Sequence, residues 1–314
     1  MRGESLMFAD GPGGDLRPLL FPADRIVSVT SCTVEVAYEE GRDYAFDAAS
    51  GGLRRLEGSR IPLTTREERS RLIAGDDAAF HRRQVAATYE HAARLWKGPV
   101  PAFSGAQLAR TCARLSASEP LTICLTGDSI SEGYNASGFV GVAPRQPAYG
   151  ALLAAGLERA YDGPIAFHNL AVAGWTADDG LADAARVAAL NPDLVVIAYG
   201  MNDACYADAA YFSANIEGIM NEIRGAAPDA EFVLVSPMWP TPECDFVVRE
   251  HFTAYRDALA TLSGPGAVLA DMTTLWEELL QRKGPHDLSG NGLNHPNDFG
   301  HRLYAQTILA LLTR

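Results

Sequence analysis

Positive charge is scarce in this chain: 26 Lys and Arg stand against 39 Asp and Glu, a formal charge of −13 over 314 residues. Nucleic acid and anionic membrane surfaces both call for a basic patch, so neither is an expected partner. No apolar run reaches the ~18 residues of a membrane span. The opening MRGESLMFADGPGGD has an arginine but no apolar stretch of a secretory signal, so a cytoplasmic protein is expected. Cys32, Cys112, Cys124, Cys205 and Cys244 include no close pair. That excludes a zinc site and a disulfide framework, and fits idle thiols in a reducing compartment. HExxH and an EF-hand loop are also missing, so neither metal nor cofactor is expected.

What remains is a globular composition, 47% hydrophobic and 21% charged, long enough for one large or two ordinary domains. Two styles of sequence meet near residue 118. From about Arg25 to Pro62 the chain is β-rich: IVSVTSCTVEVAYEEG is dense in β-branched residues, and EEGRD and AASGG are turn candidates. From about 64 to 98, Ala, Arg and Glu dominate at helical spacing, with Thr64 or Thr65 as N-cap and Gly98-Pro99 as stop. Residues 1–117 are therefore expected to form a β-rich accessory domain with a helical bridge over about 64–98, and residues 118–314 a second domain.

From Leu121 the rhythm becomes strand, helix, strand. LTICLTG, PIAFHNLAV, LVVIAYG, EFVLVSP and AVLADM read as short apolar strands, with helical stretches near 149–161, 179–190, 209–225, 246–262 and 298–312. That alternation predicts a parallel five-stranded sheet covered on both faces. In such sheets the functional crevice lies at the carboxyl ends of the strands. There the chain places Gly127-Asp128-Ser129, then Ala173-Gly174-Trp175, then Gly200-Met201-Asn202-Asp203, and finally Asn294-His295-Pro296.

Each group alone has an ordinary explanation. Ser129 or Ser131 could cap a helix, Gly174 could serve a turn, Asn202 an Asx turn, and His295 could stand at a helix entry. Together they supply what acyl transfer needs: a nucleophile, a base, and donors aimed at the oxyanion. Ser129 can attack and offer its own N–H, Gly174 a second N–H, Asn202 a neutral carboxamide donor, and His295 a base that titrates near working pH. Gly127-Asp128-Ser129-Ile130-Ser131 is not the G-x-S-x-G elbow of α/β-hydrolases.

Over roughly Leu121–Leu312 the sequence resembles the SGNH, or GDSL-type, hydrolases, named for Ser, Gly, Asn and His in four blocks. GDSISEGYN matches the first block, NLAVAGWT the second, YGMND the third and NHPNDFGHRLYA the last. The resemblance implies a flavodoxin-like α/β/α sandwich with Ser129 as nucleophile, Ser129, Gly174 and Asn202 as the oxyanion hole, and His295 as base. It also implies an aspartate three residues before the histidine, and here that position is Gly292. Asn291, one residue earlier, could orient the imidazole but cannot neutralise it. Asp287 matches no motif, and Asp298 reads as charge for the first turn of the last helix. A Ser-His pair, with or without Asn291, is the expectation.

His301 is expected on the surface of the last helix, and His168 and His251 in structural roles. Tyr134, Trp175, Trp239 and Trp276 fall near strand ends, where a sugar ring could stack, though core packing explains them equally well. Asn135-Ala136-Ser137 is formally a glycosylation acceptor, without meaning in a cytoplasmic chain. The expected activity is a serine esterase removing a short acyl group, acetyl foremost, from a small-molecule or carbohydrate ester, with self-association left open. An acyltransferase with the same machinery and a non-catalytic carbohydrate-binding protein on a decayed hydrolase fold are the alternatives. A thioesterase or lysophospholipase has no long apolar lid segment in its favour.

Overall fold

The computed structural model describes residues 1–11, 13–73 and 78–314. Its N-terminal part holds two small antiparallel sheets. Strands β1 (Glu4–Leu6), β3 (Arg25–Ser31), β4 (Ala37–Tyr38) and β7 (Val85–Glu90) pair in the order β1-β7-β3-β4. Strands β2 (Leu16–Pro18), β5 (Tyr44–Asp47) and β6 (Gly52–Arg55) pair as β2-β6-β5, with the two turns at the expected places.

The stretch expected as a helical bridge is only partly helical. Helices α1 (Arg66–Ile73) and α2 (Ala79–Arg83) lie in it, while residues 74–77 lie outside the described residues. Thr65 caps α1, its hydroxyl accepting from the Glu68 N–H at 3.0 Å. The next segment, QVAATYE, is β7, paired on both sides by β1 and β3. Val85, Ala87 and Tyr89 are buried and alternate with half-buried Ala86 and Thr88. That period of two outweighs the helix-favouring alanines, because pairing with two strands decides the conformation of so short a run.

The remainder is an α/β/α sandwich. Strands β8 (Leu121–Gly127), β9 (Ile165–Asn169), β10 (Leu194–Ala198), β11 (Glu231–Val235) and β12 (Ala267–Ala270) form one parallel sheet in the order β12-β11-β10-β8-β9. Helices α6 (Ala177–Ala188), α7 (Ala209–Ala226) and α8 (Glu250–Thr261) pack in a row; α5 (Tyr149–Tyr161) packs with α3 (Ala109–Ser116) and the last helix, α11 (Asp298–Leu312). Three further helices connect these parts: α4 (Ser129–Glu132), α9 (Met272–Leu280) and α10 (Pro285–Leu288). β10 and β11 are buried at every position, as strands covered on both faces must be. The chain runs from β8 to β9 on one side, then returns to β10 on the other. β8 and β10 thus frame the switch point where α/β sheets open a crevice. Among the described residues no helix is long and apolar enough to cross a membrane.

The two parts share one continuous apolar core. Polar contacts lock them as well. Lys283, whose side chain is fully buried, pairs with Glu4 of β1 at 2.5 Å. Glu4 also accepts from the Tyr89 hydroxyl at 2.6 Å and the Leu20 N–H at 2.9 Å. The Asp287 carboxylate accepts from the Met7 N–H at 2.6 Å. A second contact joins α2 to the loop before α11. Gly292 has a φ of +77°, and a Cβ there would lie 2.6 Å from Phe80 Cε2 and 2.8 Å from Ile73 Cγ1. No side chain fits at position 292.

Two stability predictions follow from this interface. Lys283→Ala leaves the Glu4 carboxylate buried without its cation and is expected to lose about 3–5 kcal/mol in a urea titration. The Glu4→Gln, Lys283→Met double variant should recover most of that loss; equal losses would remove the ion pair from the account. Gly292→Ala combines a left-handed backbone with overpacking against Phe80 and should lose at least about 2 kcal/mol. An unchanged unfolding midpoint would show that Phe80 gives way freely.

Candidate active site

The carboxyl end of β8 is tightly confined. A Cβ at Gly127 would come within 2.6 Å of the Ala198 carbonyl of β10, so only glycine lets the two strands close there. The chain then turns directly into α4. Asp128 caps that helix, its carboxylate accepting from the Ile130 N–H at 2.9 Å. Burial pushes the Asp128 carboxyl up to about 7. Its oxygens serve the helix cap, which leaves the next residue, Ser129, at the helix N-terminus with 6% of its surface exposed.

The loop after β9 is tied to α4, the loop after β10 is tied to the loop after β9, and a third loop reaches Ser129 itself. After β9, the Ala173 N–H donates to Glu132 at 2.6 Å, fixing the turn that carries Gly174. Gly174 has a φ of +83°, and a Cβ there would meet nothing within 4 Å, so this backbone faces open space. Neither the Ser129 nor the Gly174 N–H has an acceptor among the described residues. After β10, the Asn202 amide donates to the Trp175 carbonyl at 2.8 Å, which ties the third block to the second. Asp203 does the structural work beside it, accepting from Gly200 at 3.0 Å and Ala177 at 2.9 Å. Burial pushes the Asp203 carboxyl up to about 6.

The loop 289–296 brings in the imidazole. His295 Nε2 lies 2.9 Å from Ser129 Oγ. The Asn291 Oδ1 accepts from three backbone N–H groups, those of Leu293, Asn294 and His295, at 2.9, 3.1 and 3.1 Å. Its amide nitrogen therefore points at His295 Nδ1, at 3.0 Å. Asn291 reaches the imidazole with a donor. On the other side of Nδ1 stands a residue that motif matching passed over: Asn135 Oδ1, at 2.8 Å. Asn135 is buried, so its formal glycosylation motif is inaccessible. The signal available for it was slight, the last letter of GDSISEGYN, six residues beyond the serine.

Among the described residues no carboxylate contacts His295, and burial alone pushes its imidazole down to about 4. Asp287 is engaged with β1, and Asp298 accepts from the Ser137 N–H at 2.7 Å. His301 corrects the expectation of a surface residue. It is fully buried, with Nε2 3.2 Å from the Tyr134 carbonyl. The face of α11 bearing His301, Tyr304, Ala305 and Ile308 is the buried one, and that spacing was present in the sequence. Of the aromatics, Tyr134 packs 5.3 Å from the His295 ring and Phe139, 44% exposed, packs 4.4 Å from Tyr134. Trp175 is half-buried and packs against the core, Trp239 stacks on Phe252, and Trp276 is buried core beside Tyr304. No group of three metal-ligating side chains occurs among the described residues.

The family model described as GDSL-like lipase/acylhydrolase matches residues 125–303. Among solved structures, a two-domain esterase active on acetylated mannans, co-crystallised with mannopentaose, is 22% identical with a TM-score of 0.54. The match covers 68% of this chain and 55% of that one, so the chain spans little more than half of its length. A lipase from a goat rumen metagenome is 15% identical with a TM-score of 0.51, covering 62% of this chain and 99% of that one. At these identities the likeness is one of fold. No curated protein matches the sequence. The family match spans more than half of the chain and includes Ser129, Gly174, Asn202 and His295, and the chain belongs to the GDSL-like lipase/acylhydrolase family, whose members are carboxylic ester hydrolases.

Proposed function

We propose that this protein hydrolyses esters of short acyl groups, acetyl foremost, carried on an alcohol such as a carbohydrate hydroxyl. The observation that carries this reading is the 2.9 Å contact between Ser129 Oγ and His295 Nε2 at the carboxyl end of the sheet. In the proposed reaction Ser129 Oγ attacks the acyl carbonyl as its proton passes to His295 Nε2. The N–H groups of Ser129 and Gly174 and the second amide hydrogen of Asn202 receive the oxyanion. On collapse the imidazolium protonates the leaving alcohol, leaving an acyl-enzyme on Ser129. Water then attacks that ester with His295 again as base, releasing the carboxylic acid and restoring the serine. The open space before Gly174 supports the placement of the oxyanion there. The two-domain fold neighbour acts on acetylated mannans, which makes acetylated mannan the first polymer to try.

Hydrolysis of p-nitrophenyl esters of increasing acyl length tests the reading. Wild type should prefer acetate, Ser129→Ala and His295→Ala should each lose at least about a thousandfold in kcat/KM, and Asn202→Ala about 100- to 1000-fold in kcat. Wild type no faster than Ser129→Ala on every ester would sink the proposal, and a preference for long chains would refute the acyl assignment. The pH profile is a further prediction. A base works when neutral, so kcat/KM falls as pH drops through the pKa of His295. Because burial holds that imidazole down at about 4, the acid limb should have its midpoint well below the ~6.5 of an ordinary histidine. A midpoint at 6.5 or above contradicts it.

A further inference from the structure

We infer that Asn135 is the positioning residue of this site: its carboxamide oxygen accepts the Nδ1–H of His295 and keeps Nε2 free to take the proton of Ser129. The inference rests on the proposed hydrolytic pairing of Ser129 with His295, and it assigns to a neutral amide the place that the family resemblance gives to a carboxylate. A histidine base must carry its proton on Nδ1, and an amide that donates to Nδ1 imposes the opposite tautomer, which lowers kcat by ~10⁴ in a serine protease. The direction each amide faces is therefore decisive.

Two amides meet Nδ1, and their surroundings orient them oppositely. The Asn135 Nδ2 lies 3.3 Å from the Gly290 carbonyl, an acceptor, so its Oδ1 is the end turned to the imidazole. The Asn291 Oδ1 is held by three backbone N–H groups, so its amino end is the one at Nδ1. Asn291 can also donate to Asn294 Oδ1 at 3.1 Å, so nothing obliges it to claim the imidazole. Asn291 shapes the loop; Asn135 selects the tautomer.

The chain is built to hold Asn135 there. Its backbone is left-handed, with φ 59°, which asparagine tolerates. Two buried histidines clamp the successive carbonyls: His301 at Tyr134 and His81 of α2 at Asn135, at 3.2 and 3.0 Å. Phe80, adjacent to His81, fills the space beside Gly292. The N-terminal part thus both closes the position where an aspartate would stand and supports its replacement. Among the described residues, the titratable groups facing this cluster are Tyr134, His301 and His81, with Asp298 the carboxylate that acts on both buried histidines.

The test combines ¹⁵N NMR of the histidine rings with pH-dependent kinetics on p-nitrophenyl acetate. In wild type, His295 should carry its proton on Nδ1 at neutral pH. Asn135→Ala should shift it toward the Nε2–H form and lower kcat about 100-fold or more, with KM changed less than about threefold. Asn135→Asp, isosteric and equally at ease in a left-handed turn, should retain the Nδ1–H form, preserve turnover and raise the His295 pKa and the acid limb by more than one pH unit. An Nε2–H wild type, or an Asn135→Asp enzyme whose His295 pKa and acid limb do not move, overturns the inference. So does an Asn135→Ala enzyme with unchanged tautomer and kcat. If Asn135→Ala fails to fold, the aspartate variant still decides. The NMR arm needs no substrate, so absence of esterase activity would refute the proposed function while leaving the tautomer readable.

Discussion

The site depends on one small loop being held rigidly. Residues 289–296 place His295 by internal hydrogen bonds: the Asn291 oxygen gathers three backbone N–H groups, and the Gly290 N–H returns to the His295 carbonyl at 2.9 Å. Thr241, beyond β11, pins the loop from outside through the Gly292 and Leu293 carbonyls, both at 2.7 Å. Phe80 and Ile73 press on Gly292 from the other side. A reacting imidazole must stay within a few tenths of an ångström of its serine, and here loops, sheet and N-terminal helices all bear on that placement.

The electrostatics of the site follow from this packing. Filling the space beside Gly292 with an aromatic ring leaves no room there for a carboxylate, and among the described residues none approaches Nδ1. The imidazole is consequently held by dipoles rather than by a charge, and burial lowers its basicity. In the proposed mechanism an amide orients the base without stabilising the imidazolium, so transition-state stabilisation would fall more heavily on the proposed oxyanion donors. The open space before Gly174 and the two N–H groups, which have no acceptor among the described residues, are where that stabilisation would be exerted.

Much of the sandwich was legible because its signals are local. β8 runs over Leu121–Gly127 and α11 over Asp298–Leu312, matching the apolar run and the helical spacing of those segments. Ser129, Gly174, Asn202 and His295 stand after strands, and the switch-point rule brings strand ends together whatever the loops do. β7 was illegible because a short Ala-containing segment takes its conformation from its two neighbours, β1 and β3. The burial of His301 was readable in the face it shares with Tyr304 and Ile308, yet its partner, the Tyr134 carbonyl, is 167 residues away in the chain.

The sequence by itself determined the parallel sheet, the order of the chemistry-bearing blocks along it, and the absence of a side chain at position 292. Those properties are written in periodicity, in strand ends and in residue identity, all of which are local. Only the tertiary structure decided which end of each asparagine faces the imidazole, why position 292 must be glycine, and how the N-terminal helices support the site. Asn291 is turned by backbone N–H groups of its own loop, but the acceptor that turns Asn135, the Gly290 carbonyl, and the α2 histidine that holds its backbone are distant in sequence, and close packing sets those contacts only when the whole chain is folded.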